Sequence, residues 1–296
     1  METNDNKELS ALINLLDDPD EEIYNLIKSK FLTMGYEVIP VLENVWETGD
    51  SFNHIVQTRI ENIIHKIQFD AVFGKLTRWC LDGGKDLLEG ALIITKYQYP
   101  DLNEEKIYKK LEQLTQDVWL EINDDLTALE KVKVLNHILY DVHGFSGNTA
   151  NFHAPQNSYL NNVLESKKGN PLSLSLLYAI VSQRLNIPLY GVNLPQHFIL
   201  AYTAQEITVN MEGYQEKDVV LFYVNPFSRG AIFNKKEIDV FLKQLGIDPK
   251  DSFYEPCNNV EIIKRLLKNL IFSYEKLGYP SKTEELNELY NAIKGI

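Results

Sequence analysis

At 296 residues the chain has room for two domains, or one domain with helical additions, and its 44% hydrophobic and 11% aromatic content supplies a sizeable core. Its 29 basic residues against 42 acidic ones leave a formal net charge of −13, which argues against a nucleic-acid partner, since phosphate binding needs clustered Lys and Arg. Two cysteines, Cys80 and Cys257, are too few and too far apart for a disulfide scaffold and fit a reducing compartment. The first residues, METNDNKELS, are polar and acidic, and no apolar run approaches the roughly 20 residues needed to span a bilayer. A cytoplasmic protein without a membrane partner is expected.

Residues 7–48 read as three short helices. Leu9, Leu12, Ile13 and Leu16 make one apolar stripe, stopped by Asp17-Asp18-Pro19-Asp20. Ile23, Leu26, Ile27 and Phe31 make a second, ending near Gly35, and Val38, Ile39, Leu42, Val45 and Trp46 make a third. The string LINLLDDPDEEIYNLIKSKFLTMGYEVIPVLENV resembles one HEAT-type repeat; no second copy follows at the required period, so ordinary amphipathic helices are the competing reading. Phe52 to Ile67 predicts a further helix, and Phe69, Val72, Phe73, Leu76 and Trp79 predict a separate one ending at Asp82-Gly83-Gly84. Residues 87–94 predict a buried helix, and 103–120 and 126–142 complete a helical half. Strands are predicted at 189–192, 198–203, 207–210 and 219–224. Helices at 237–245, 260–277 and 283–293 follow, the last two forming a hairpin around Gly278-Tyr279-Pro280-Ser281.

The stretch 168–200 is the most informative part. Asn170 suits an N-cap and Pro171 the first helical position. Leu174, Leu177, Tyr178, Val181 and Leu185 recur at helical spacing, Asn186-Ile187-Pro188 stops the helix, and a short extended run leads to Pro195-Gln196-His197-Phe198. A helix N-terminus carries partial positive charge and lowers the pKa of a thiol placed there. In this chain the position carries proline.

The order of these pieces resembles the transglutaminase-like superfamily, whose core sets Gly-x-Cys at the head of a helix, then a Gly-Ile-Pro-like helix end, a histidine on a strand and an Asp-Pro. Gly169-Asn170-Pro171, Asn186-Ile187-Pro188, His197 and Asn225-Pro226-Phe227 match in turn. NSYLNNVLESKKGNPLSLSLLY, PQHFIL and VNPFSRGAIF are similar to the bacterial SirB-type branch, in which proline usually replaces the nucleophilic cysteine. The match covers roughly residues 81 to 235 and departs at Gln196, where glycine is more usual, and at Asn225, where aspartate is.

The resemblance implies that His197 would be the general base, oriented by Asn225. The competing reading makes His197 a hydrogen-bonded, inert residue of the sheet. Pro171 has neither a side-chain heteroatom nor an N–H, so it supplies no nucleophile and no oxyanion donor. Ser173, at the third helical position, could face His197, with Ser175 in the same helix. An amide at Asn225 orients an imidazole without stabilising the imidazolium, and losing that carboxylate from a serine triad costs about 10⁴ in rate. Cys80 reads as a small buried side chain and Cys257 lies outside the motif. His54, His65, His137, His143 and His153 show no ligand spacing, and Gly83-Gly84 lacks a phosphate-loop continuation, so neither metal nor cofactor is expected. Asn157 and Tyr159, in the Asn157-Ser158-Tyr159-Leu160-Asn161-Asn162 run, could line a peptide groove; alternatively the asparagines and serine cap the helix carrying Leu160, Val163 and Leu164.

The expected fold class is α+β. A HEAT-like helical region spans 1–80, a transglutaminase-like, papain-like core with a small antiparallel sheet spans 81–250, and a C-terminal helical hairpin spans 251–296. The expected function is a non-catalytic binding or regulatory module that holds a protein or peptide in a cleft lined by Asn157, Tyr159, Ser173, Gln196, His197 and Asn225. The alternatives are a hydrolase or acyltransferase using Ser173 and His197, and a purely structural helical adaptor.

Overall fold

The computed structural model of the chain describes residues 2–48, 54–204 and 220–296. The strand expected at 207–210, Val219 and the helix start at Phe52 lie outside them. The chain divides into two compact units, Met1–Gly74 and Lys75–Ile296, and its architecture is α+β. Among the described residues no helix is long and apolar enough to cross a membrane.

The first unit is helical: α1 (Glu2–Asn14), α2 (Glu21–Met34), α3 (Ile39–Thr48) and the first turns of α4 (His54–Leu81). The acidic breaker doubles as a cap, because the Asp20 carboxylate accepts the Glu22 N–H at 2.8 Å. The apolar stripes meet in one core that includes Leu16, Ile27, Phe31, Leu42, Ile60 and Ile63. Arg59 is buried beside it. Its guanidinium donates to the carbonyls of Leu16 at 2.8 Å and Asp18 at 2.6 Å, pairs with Glu21 at 2.8 Å, and lies 4.3 Å from the centre of the Tyr24 ring. Two helices were expected across 52–79, but α4 is continuous. Its buried stripe runs Val56, Ile60, Ile63, Ile67 and then shifts to Phe69, Val72, Leu76 and Trp79; a stripe can rotate around a helix without any residue breaking the backbone hydrogen-bond ladder.

The second unit continues with α5 (Leu87–Gln98), α6 (Glu104–Glu121) and α7 (Ala128–Asn136). The single helix expected over 126–142 instead passes into a π-helical turn, His137–Val142, where His143 meets Asp117 at 2.7 Å and His137 meets Asp141 at 3.2 Å. A short strand β1 (Ser146–Gly147) pairs in parallel with β2 (Lys168–Gly169), on either side of α8 (Leu160–Ser166). Then comes α9 (Pro171–Arg184), whose residues are all buried from Pro171 to Ser182. Both polar and apolar positions of α9 are enclosed, so it is the central post of the unit rather than an amphipathic surface helix.

Four strands, β3 (Leu189–Val192), β4 (Ile199–Thr203), β5 (Val220–Asn225) and β6 (Ala231–Phe233), form an antiparallel sheet in that order. The all-buried Ile-Leu-Ala-Tyr-Thr run of β4 marks a strand covered on both faces. Ile199 and Ala201 join Ile238 and Leu242 of α10 (Lys235–Gln244), and the strand also packs on α9. The turn into β6 is held by Asn136, whose amide donates to the Gly230 carbonyl at 2.9 Å and accepts from Tyr178 of α9 at 3.1 Å. Gly230 has φ +70°, and a Cβ there would stand 1.7 Å from the Asn136 Oδ1. The C-terminal hairpin pairs α11 (Asn259–Leu277) with α12 (Pro280–Lys294), Gly278 capping the first and Pro280 opening the second.

Candidate functional site

Asn170 and Ser173 fix how α9 begins. The Asn170 Oδ1 accepts the Ser173 N–H at 2.9 Å, and the Ser173 Oγ accepts the Asn170 N–H at 3.0 Å, a reciprocal capping box. The Asn170 Nδ2 donates to Ser158 at 3.0 Å, tying the helix start to the preceding turn. Gly169 permits the close approach, for a Cβ there would lie 2.6 Å from the Ser173 Oγ. Ser173 is thus buried and engaged in holding the helix end, and does not line the cleft beside His197. Ser175 is likewise turned inward, donating to the Pro171 carbonyl at 2.8 Å and the Phe198 carbonyl at 3.3 Å.

Pro171 at the first helical position and His197 before β4 do come together. With Asn170, Gln196 and Phe198 they line a cleft of about 400 Å³. Its remaining walls are Leu172 of α9, Phe152 and His153 from the loop after β1, and Arg265, Asn269, Phe272 and Ser273 from α11. Gln196 has φ +57°, a left-handed conformation that costs a non-glycine residue about 1–2 kcal/mol. That gives a physical reason for the glycine expected at this turn.

His197 also borders a second cavity of about 390 Å³, lined by Leu194, Ile199, Asn225, Phe233, Glu237 and Phe241 among others. Asn225 is found there and not in the first cleft, so the expected single groove is divided: Gln196 lines the first cavity, Asn225 the second, and His197 both. Burial holds the His197 pKa below the ordinary imidazole value; a hydrogen bond that the ring donates to the Asn225 side-chain oxygen opposes this, and the nearby Arg265 charge adds to the lowering. The ring is therefore a neutral acceptor near neutral pH. Asn225 also caps the turn that follows it, accepting the Ser228 N–H at 3.3 Å.

Asn157 and Tyr159 support the cleft from behind. The buried Asn157 amide donates to the carbonyls of Asn151 at 2.6 Å and Phe152 at 3.2 Å, and accepts from Asn148 at 2.9 Å. It shapes the loop that presents Phe152 and His153. Tyr159 is buried, its hydroxyl 3.2 Å from that of Tyr274, and its ring meets Tyr99 edge-on. Neither caps α8 through a side chain: the N-cap of that helix is Tyr159 with no side-chain cap bond, which corrects the capping reading.

The two cysteines carry no activated sulfur. Burial pushes the Cys257 thiol up to about 12 and raises Cys80 as well. Among the described residues no group of three His, Cys, Asp or Glu side chains is placed to hold a metal ion.

Arg265, Asn269 and Phe272 were not picked out from the sequence. They recur at i, i+4 and i+7, one face of α11, and this spacing in an amphipathic helix was the available signal.

The sequence pattern described as the transglutaminase-like superfamily matches residues 105–268, which include Pro171, His197, Asn225 and Arg265. The UPF0162 protein of Xylella fastidiosa (strain 9a5c) is 28% identical over 190 residues, 62% of this chain and 63% of its own. The UPF0162 protein YchA of Escherichia coli (strain K12) is 26% identical over 187 residues, 62% of this chain and 65% of its own. F-box only protein 21 of Mus musculus is 29% identical over 162 residues, 54% of this chain but 23% of that protein. The chain therefore spans less than two thirds of the length of these relatives. No solved structure matches. Because the pattern extends over more than half of its residues, and over the helix, the histidine strand and the sheet just described, the chain belongs to the transglutaminase-like superfamily.

Proposed function

We propose that this chain is a non-catalytic member of the superfamily, of the SirB-type branch, that binds a protein or peptide partner in the cleft between the α9 N-terminus and α11. The observation that carries this reading is the identity of the residue opposite His197 at the helix head. Pro171 begins α9 and lines the cleft with His197; on this reading it stands in for the nucleophile, and a pyrrolidine ring can neither attack a carbonyl nor donate to an oxyanion. Ser173 is held in the capping box, and the raised pKa of Cys257 keeps that sulfur protonated. What remains is a pocket of binding-site size with aromatic walls and a few convergent polar groups. The similarity of this chain to UPF0162 proteins and to under a quarter of F-box only protein 21 supports a module that works in different surroundings.

Activity-based labelling tests this. The full chain, treated with a fluorophosphonate probe and separately with iodoacetamide, is expected to take up neither in its native state. Labelling of Ser173 that vanishes in His197→Ala would establish the competing hydrolase or acyltransferase reading instead.

A further inference from the structure

Resting on that binding reading, we infer that the cleft recognises the C-terminal carboxylate of a peptide whose last side chain is apolar, with Arg265 as the carboxylate anchor. Twelve residues line the cleft; none is acidic, and one, Arg265, carries a fixed charge. In a chain with 42 acidic residues that is an unusual place for a guanidinium to be left. Of its five N–H donors, the described residues take up one: Nη1 donates to the Asn193 Oδ1 at 2.8 Å. Among the described residues no carboxylate pairs with it.

A half-buried cation held in place by a neutral amide is incompletely compensated, and truncating or supplying its counter-charge matters more than at an exposed site. Burial lowers the Arg265 pKa, which is the same desolvation seen from the protonation side, yet a guanidinium keeps its proton in proteins. The described residues supply no counter-charge, and the cleft that Arg265 lines gives an anion a route to it.

Three features define that anion. A single positive charge matches a monoanionic carboxylate better than a phosphate, which carries nearly two negative charges at neutral pH. The Asn269 side-chain amide, one turn further along α11, makes no hydrogen bond within the described protein, so it is available to the N–H or carbonyl of a peptide unit beside the carboxylate. Phe152, Phe198, Phe272 and Leu172 surround the remaining space, and about 400 Å³ is room for a large terminal side chain. His197, neutral, contributes an acceptor on the opposite wall and no competing negative charge.

The test uses the full chain and two N-terminally biotinylated peptide pools, randomised at their last three positions and differing in whether the C-terminus is a free acid or an amide. Selection followed by fluorescence anisotropy on the winners is expected to enrich free-acid peptides ending in Phe, Leu, Ile or Met. The matching amides should bind about tenfold to hundredfold more weakly, the ratio expected for losing hydrogen bonds to a charged group. Arg265→Gln should bring the free acid down to the amide's affinity. Enrichment of both pools with equal affinity overturns the carboxylate inference and leaves the peptide-binding reading standing. Enrichment of internal Asp or Glu in the amide pool shows a side-chain carboxylate as the ligand and overturns the C-terminal assignment. Enrichment from neither pool overturns both readings. The acid-to-amide comparison needs only the unmodified chain, so it decides the matter even where Arg265→Gln fails to fold.

Discussion

Ser173→Ala separates a structural serine from a reactive one. In this chain the Ser173 Oγ is 1% exposed and is the acceptor for the buried N–H of Asn170 at 3.0 Å. Its removal strands that amide inside the protein, and a buried donor without an acceptor costs about 1–3 kcal/mol. Alanine recovers about half a kilocalorie through its better helix propensity. The reciprocal bond from the Ser173 N–H to Asn170 survives, so the whole cap is not lost. A net loss of about 1.5 kcal/mol is expected, equivalent to a fall in Tm of about 3–6 °C for a unit of this size. Urea unfolding followed by far-UV circular dichroism should show the midpoint falling with an unchanged slope. Asn170→Ala should cost a similar amount, and the double variant should lose less than the two single losses together, because both changes act on one motif. If Ser173→Ala proves as stable as the parent, or more so, the hydroxyl is not serving as a cap. Strained reactive residues often cost a protein stability, so that result would return Ser173 to candidacy as a nucleophile.

Three further perturbations follow from the packing and the charges. Because the His197 pKa is depressed on folding by burial, the unfolded chain binds more protons between the folded value and about 6.5; this contribution to stability is complete above that window and declines as pH falls through it. Urea titrations from pH 7.5 to 5 should show a shallower loss in His197→Asn than in the parent, and equal slopes would contradict the buried neutral ring. Gly230→Ala, which forces a left-handed φ of +70° and a Cβ against Asn136, should cost about 2–4 kcal/mol; adding Asn136→Ala should return part of that in a calorimetric melt if the clash is the cause. In the first unit, Arg59→Ala leaves the Leu16 and Asp18 carbonyls without their donor and removes the stack on Tyr24, an expected loss of about 3 kcal/mol. Glu21 is 72% exposed, so Glu21→Gln should change the same midpoint by less than about 1 kcal/mol.

Much of the second unit was legible because its signals are local. Asn170-Pro171 fixed the start of α9 within a residue, Asn186-Ile187-Pro188 its end, and the β-branched and aromatic runs fixed β3, β4 and β5. The first unit's stripes read correctly up to Ile67, where the apolar face rotates; periodicity alone reports such a rotation as a break, and only a backbone breaker would have made it one. β1 and β2 are two residues each, too short for any alternation. The ordered trio of helix head, histidine and Asn225 does border shared cavities through His197, yet Ser173 was read by its chemistry when its spacing from Asn170 already spelled a cap. Arg265 and Asn269 stayed hidden because their role depends on α11 crossing the mouth of α9, a contact between segments about 95 residues apart in sequence. A charge whose weight depends on which side chains the fold brings beside it has no signature in a string of letters.

His197 borders both cavities, of about 400 and 390 Å³. A substitution at this one position therefore alters the lining of two spaces at once, so neither can be reshaped there independently of the other.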